Sequence, residues 1–358
     1  MRVLLIKMSS MGDVFHTFPA LSDALAANPN LKVDWVVEKA FAEIPSWHPA
    51  VDKVYPIELR KWRKSLFSSQ TRAEIKAFFE QVNQTHYDLV LDAQGLYKSV
   101  WVARRIKAPV CGLDFKSARE PLASLFYQYK CRVVKDQHAI LRLRQLFAKG
   151  LGYKLADNAP IAYDLNTADW QRPEILPWQA ENYLVFLHGT TWETKYWPEA
   201  YWIELLKKTQ QAGYKVLLPW GNDEERERAL RLQAAVSASE KTQQAGSEDA
   251  SQVVWVPERM LSLNEMARAL KQASAVVSVD TGLSHVAAAL EVPMAVLYRV
   301  TDPKLIGADG SKVTRLVSPL APGYIKQFKD AAEAQDSLQN LSPEAVWQAL
   351  HNNLIVKE

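Results

Sequence analysis

Short apolar, β-branched runs alternate with helical patterns along almost the whole chain. That alternation restricts the fold more than any other feature, because it calls for parallel strands joined by crossover helices. In the first half the strand-like runs lie near 2–8, 31–37, 53–57, 87–92 and 109–112, with helical patterns at 14–27, 71–83, 97–107, 119–128 and 136–151. Residues 155–181 lose this periodicity, hold three prolines and read as a linker. The alternation then restarts with YLVFLH, KVLLPW, QVVWV, AVVSV and MAVLY, interleaved with helices after Trp197-Pro198, through 223–235, from Ser262 and from Gly282. The expected architecture is two tandem doubly wound α/β domains, 1–160 and 161–340, with a last helix in 341–358 packing back toward the first domain. Ligands of such sheets bind beyond the carboxyl ends of the strands, so the loops after strands are where chemistry is expected.

The 358 residues suffice for two cores, and 48% hydrophobic with 23% charged residues is the balance of a globular protein. No apolar run approaches the roughly 18 to 20 residues of a membrane span. The start MRVLLIKM lacks the apolar core of a signal peptide, so a cytoplasmic location is expected. Cys111 and Cys131 have no CxxC spacing, which implies neither a disulfide framework nor a zinc site. The net charge of +3 conceals a split: residues 1–154 hold 24 Lys and Arg against 14 Asp and Glu, and the remainder 19 against 26. The basic half, with Arg60, Lys61, Arg63, Lys64, Arg104, Arg105, Lys107, Lys116 and Arg119, is suited to anionic partners.

Four loops carry candidate chemistry. In VSVDTGLSHVAAAL a buried strand ends at Asp280, and a helix opens after Thr281 and Gly282. Its first N–H groups, residues 281–284, and its dipole favour a phosphate, although Asp280 and Thr281 read equally well as a plain helix cap. His285 lies one turn in, either packed or facing the same loop. FLHGTTWETKYWP sets Thr190 and Thr191 after a strand and Lys195 shortly before a helix, where an ammonium suits a diphosphate or simply faces solvent. In LPWGNDEERERA, Glu225 falls in an opening helical turn, a place for ribose hydroxyls or for a solvated acid. In SSMGD, Asp13 by itself reads as a helix N-cap after a glycine turn.

Neither GxGxxG nor GxxxxGK[ST] occurs, so a dinucleotide fingerprint and a P-loop are absent. There is no Asp-x-Asp pair to hold a divalent metal on a diphosphate. Any bound diphosphate therefore needs neutralising by protein groups, and no metal cofactor is expected.

KMSSMGD at the start, DAQGLYKS at 92–99, FLHGTTWETKYWP and VSVDTGLSHVAAAL together resemble the family 9 glycosyltransferases, the bacterial lipopolysaccharide heptosyltransferases of GT-B fold. The resemblance runs over nearly the whole chain. WVVEKAFAEIPSWHPAVDKVYPIELRKWRK and AREPLASLFYQYK are most similar to the branch that adds the first heptose to the Kdo sugars of lipid A. One departure is LYRVTDPKLIG, in which Arg299 and Val300 stand where the family typically has Gly-Pro.

The resemblance implies an inverting transfer of L-glycero-D-manno-heptose from ADP-heptose to a Kdo residue of Kdo2-lipid A. Transfer to an already heptosylated acceptor is the nearest alternative, and a GT-B sugar-nucleotide epimerase is the alternative from another class. It further implies donor contacts from Thr190, Thr191, Lys195, Glu225, Asp280, Thr281, Gly282, Leu283 and His285, with Met260 or Leu261 on the adenine. Acceptor contacts fall to Lys7, Ser9, Ser10, Arg60, Arg63, Gln94 and Arg119, and catalysis to Asp13 as base with Lys195. The implied setting is a monomer, peripheral on the anionic cytoplasmic face of the inner membrane, with no nucleic-acid partner. Closure about 155–181 is expected to bring Asp13 to the donor.

Overall fold

The computed structural model describes residues 1–178, 182–240 and 253–355. Backbone contacts divide the chain into two units, Met1–Ala168 and Asp169–Glu358, a boundary a few residues beyond the expected one. The first unit contains β1 (Arg2–Ile6), β2 (Lys32–Glu38), β3 (Val51–Ile57), β4 (Leu89–Asp92), β5 (Val110–Leu113) and β6 (Tyr129–Cys131), in the order β3-β2-β1-β4-β5-β6. The second contains β7 (Tyr183–Leu187), β8 (Lys215–Leu217), β9 (Val254–Trp255), β10 (Ala275–Val279), β11 (Met294–Tyr298) and β12 (Val313–Val317), in the order β12-β11-β10-β7-β8-β9. Every pairing is parallel.

Counted from the start of each unit, the two strand orders are the same. In both, the winding reverses between the first and fourth strands, and such a switch point is where a parallel sheet opens a crevice at its carboxyl edge. Register brings the relevant loops together: Ile6 lies opposite Asp92, and Ser278 opposite Leu187. The central strands β7, β10 and β11 are buried at every residue and β1 at all but its first. Helices covering both faces are the reason these strands read as unbroken apolar runs. The helix Ala139–Leu151 is tied to Phe18–Ala27 by a bidentate pair, Arg144 Nε and Nη2 donating to Asp23 at 2.6 and 2.9 Å. Removing one partner of such a buried pair costs about 3–5 kcal/mol.

Several elements differ from expectation for local reasons. The helix expected over 14–27 is two helices, Met11–Phe15 and Phe18–Ala27, the second carrying Pro19 in its first turn, where the missing N–H costs nothing. The helix expected over 119–128 is a 3-10 turn, Pro121–Phe126. Strands β6 and β12 were not expected. Both are sheet edges, and β6 exposes Tyr129 and Lys130. The last helix, expected in 341–358, is Pro343–Ile355, and its Val346 and Leu350 lie in the core of the second unit. Of the polar 237–252 stretch, residues up to Glu240 complete the helix Asp223–Glu240, and 241–252 lie outside the described residues. Among the described residues no helix is long and apolar enough to cross a membrane.

Candidate functional site

Each unit gathers polar side chains at its switch point. In the first, the chain leaves β1 at Lys7, whose backbone is held by β2: its carbonyl accepts the Trp35 indole N–H at 2.9 Å. The Lys7 ammonium is buried, 3.2 Å from Asp13 Oδ1 and 3.3 Å from the Ala93 carbonyl. Asp13 is not the N-cap. The cap is Ser10, and Asp13 sits in the first turn, where its Oδ2 accepts the Ser10 backbone N–H at 3.0 Å and the Ser10 hydroxyl at 2.9 Å.

Partial withdrawal from water opposes ionisation of Asp13, but the Lys7 ammonium, the Ser10 N–H and the nearby His16 outweigh it and hold the carboxyl well below the usual carboxylate range. Its side chain is still 42% exposed, so the carboxylate is fixed, charged and reachable.

The loop after β4 braces this arrangement. Asp92, fully buried, accepts the backbone N–H groups of Gln94 and Gly95, the Ser99 hydroxyl and the Tyr127 hydroxyl, all within 3.0 Å. Burial raises its carboxyl despite these donors. Gly95 turns the chain with φ +65°, a conformation that favours glycine. Gln94 then reaches across: its Oε1 accepts Met8 N–H and Ser9 N–H, and its Nε2 donates to the Ser9 carbonyl at 2.8 Å. The structure thus places Gln94 as a brace for residues 8–9.

Lys98, which sequence reasoning missed, donates to Ser9 Oγ at 2.9 Å, and burial lowers its pKa from the ordinary lysine value. It also lines a cavity of about 600 Å³ shared with Glu38, Arg60, Arg63 and Glu120. Burial pushes Glu38 up against the opposing pull of Arg60. Arg119 is exposed and is not among the residues lining this cavity.

In the second unit, Lys195 closes a short 3-10 turn, Glu193–Lys195, and its ammonium lies 2.6 Å from Asp280 Oδ2 and 4.6 Å from the centre of the Trp192 ring. Thr301 donates to the same Asp280 oxygen at 2.7 Å, and Thr190 donates to the Asp280 carbonyl at 3.0 Å. Asp280 is therefore held by the loops after β7 and β11 and is no mere cap. Thr281 occupies the N-cap position of Gly282–Ala289 without a side-chain cap bond, leaving the Gly282 and Leu283 N–H groups at an uncapped helix start. Thr191 is exposed, and His285 is buried in the first turn.

The Glu225 carboxylate accepts Gly221 N–H at 2.7 Å and lies against Gly189, where any Cβ would collide with it. That contact sets Glu225 beside the β7 loop. Leu261 is buried and Met260 is 54% exposed. Lys326, a second ammonium over Trp192 at 5.4 Å, comes from a segment without a recognisable motif. Arg299, the departure from the family's usual Gly-Pro, donates to Ser337 Oγ and to the carbonyls of Tyr196 and Ala334, bonds of 2.6–2.7 Å that explain its place. Asp302 caps the short helix Pro303–Ile306 by accepting Lys304 N–H.

The profile of Glycosyltransferase family 9 (heptosyltransferase) matches residues 75–333. The chain is 49% identical over 325 residues to a Pseudomonas aeruginosa protein named lipopolysaccharide heptosyltransferase 1, covering 90% of this chain and 86% of that one. Among solved structures, E. coli heptosyltransferase WaaC with ADP superposes with TM-score 0.84 at 42% identity, covering 99% of this chain and 100% of that one. The same E. coli protein with ADP-2-deoxy-2-fluoro heptose gives TM-score 0.81 at the same identity and coverage.

Proposed function

The chain belongs to glycosyltransferase family 9, the heptosyltransferases, and from that premise we propose that it moves L-glycero-D-manno-heptose from ADP-heptose to a Kdo residue of Kdo2-lipid A, with inversion. The observation that carries this reading is the ionised, exposed Asp13 carboxylate locked by Lys7 and Ser10 at the end of β1. A group ionised before substrate arrives is ready to accept a proton. As the acceptor hydroxyl oxygen bonds to the anomeric carbon, its proton passes to Asp13 and the bond from that carbon to the ADP oxygen breaks. Lys195 and the N–H groups of Gly282 and Leu283 counter the charge growing on the departing diphosphate, without a metal ion. Thr190 and Thr191 line the same loop, Glu225 takes the ribose hydroxyls, and Met260 is the side chain open to the adenine. His285 and Asp280 stand near the heptose.

On the acceptor side, Arg60, Arg63 and Arg119 suit the Kdo carboxylates and lipid phosphates, because a guanidinium grips two oxygens at once. Lys7, Ser9, Ser10 and Gln94 shape the floor beside the base. The basic first unit supports a peripheral position on the anionic cytoplasmic face of the inner membrane, where the enzyme is proposed to act as a monomer.

The test is an assay with ADP-heptose and heptose-free Kdo2-lipid A, run with and without EDTA. The expected result is ADP release with one heptose added and no effect of EDTA. Turnover only on an already heptosylated acceptor, or loss of activity in EDTA, contradicts the corresponding part of the reading.

A further inference from the structure

The first unit is unusual in what it leaves uncovered. Of the fourteen exposed large hydrophobic side chains among the described residues, eleven lie in it and three in the second unit. The 3-10 turn Pro121–Phe126 concentrates them. In a 3-10 helix residues three apart eclipse one another, so Leu122 and Leu125, 51% and 63% exposed, stand on one outward edge while Ala123 and Ser124 are buried. Nearby, Phe126 lies under the Arg104 guanidinium at 4.8 Å, and Arg105 stacks on Trp101 at 4.2 Å. The 600 Å³ cavity is lined by Glu120, just before this turn, and by Leu66, whose neighbour in sequence, Phe67, is 94% exposed.

Apolar side chains standing proud among arginines are the composition of a surface that enters the boundary between headgroups and acyl chains. We propose that the Leu122–Leu125 edge, together with Phe67, inserts into an anionic lipid bilayer, with Arg104 and Arg105 at the depth of the lipid phosphates. The proposal rests on the reading of a membrane-borne acceptor and adds to it the elements that make the contact. Charge selects the occupant: a second copy would set one strongly basic half against another, whereas anionic lipid neutralises it.

The test is flotation of the full-length protein with vesicles of phosphatidylglycerol and phosphatidylethanolamine, and with neutral phosphatidylcholine vesicles. Wild type is expected to float with the anionic vesicles. Leu122→Ser with Leu125→Ser should lower partitioning by about tenfold or more, and Phe67→Ser should lower it by less. Leu122→Met with Leu125→Met, which keeps the apolar bulk, should bind as wild type does. Turnover of a de-acylated, water-soluble acceptor should be the same in all of them. The proposal is overturned if wild type does not bind, if the double serine variant binds as wild type does, or if sedimentation shows that the serine changes abolish a dimer instead. The vesicle result stands whether or not the protein turns over the soluble acceptor, so this proposal and the transfer reading fail separately.

Discussion

The two units share a strand order and a switch point, yet they fill that switch point with different chemistry. In the first, a buried lysine sits beside a partly exposed carboxylate, and the loop after β4 braces them. In the second, the lysine and carboxylate are both mostly covered and bind each other, and the helix start beyond them lacks a side-chain cap. The surfaces differ in the same sense, since the first unit is basic and apolar outside while the second is acidic. The lesson is that a shared strand order fixes where ligands can bind. The side chains on two loops per unit decide the chemistry there, which on the proposed reading is taking a proton in the first unit and holding an anion in the second.

The comparison breaks most sharply at the two charged pairs. Asp13→Asn retains an oxygen to accept the Ser10 N–H but cannot take a proton in the same way, so turnover should fall by about 10²–10⁴, while the loss of the charge facing the buried Lys7 ammonium should lower the melting temperature without preventing folding. Lys195→Met should lower kcat/KM by about 10²–10³, through lost countercharge on the leaving diphosphate. A more modest effect sharpens the account of the second unit: Gly189→Ala displaces the Glu225 carboxylate, and donor KM should rise about tenfold with kcat little changed. Steady-state kinetics with varied ADP-heptose checks all three, and a Gly189→Ala enzyme with unaltered KM removes Glu225 from the donor site.

Acid should affect the two units alike. Burial pushes His48 in the first and His188 in the second down to about 4. Both are neutral when folded, whereas the unfolded chain protonates near pH 6.5, so each withdraws stability as pH falls from about 6.5 to 4, up to about 3 kcal/mol per histidine. Urea unfolding at pH 7 and pH 4.5 measures the loss, which His188→Leu should reduce. Asp13 behaves oppositely: its carboxyl, held well below the usual carboxylate range, stays charged throughout, so it should add no acid limb to the rate profile between pH 5 and 8.

Much of the fold was legible because buried parallel strands leave unbroken apolar runs, as at Val3–Ile6 and Ala275–Val279. The edge strands escaped notice for the converse reason, since β6 and β12 have little or no buried face to pattern. Loop positions were equally legible, as strand ends followed by glycine and a helix start. The partners were not. Nothing local pairs Lys195 with Asp280, sends Gln94 across to residues 8–9, or gives Arg299 acceptors near 196 and 334, because these contacts join distant parts of the chain. Asp13 shows the same limit: its role as an N3 acceptor depends on Ser10 being the cap, and its charge on Lys7.

The division of labour is tested most directly by titrating ADP calorimetrically into Asp13→Asn and Lys195→Met side by side. The account predicts that Asp13→Asn binds ADP as tightly as wild type while turning over at least about 100-fold more slowly, and that Lys195→Met binds it about tenfold more weakly or worse. Weakened ADP binding in Asp13→Asn, or wild-type binding in Lys195→Met, would contradict it.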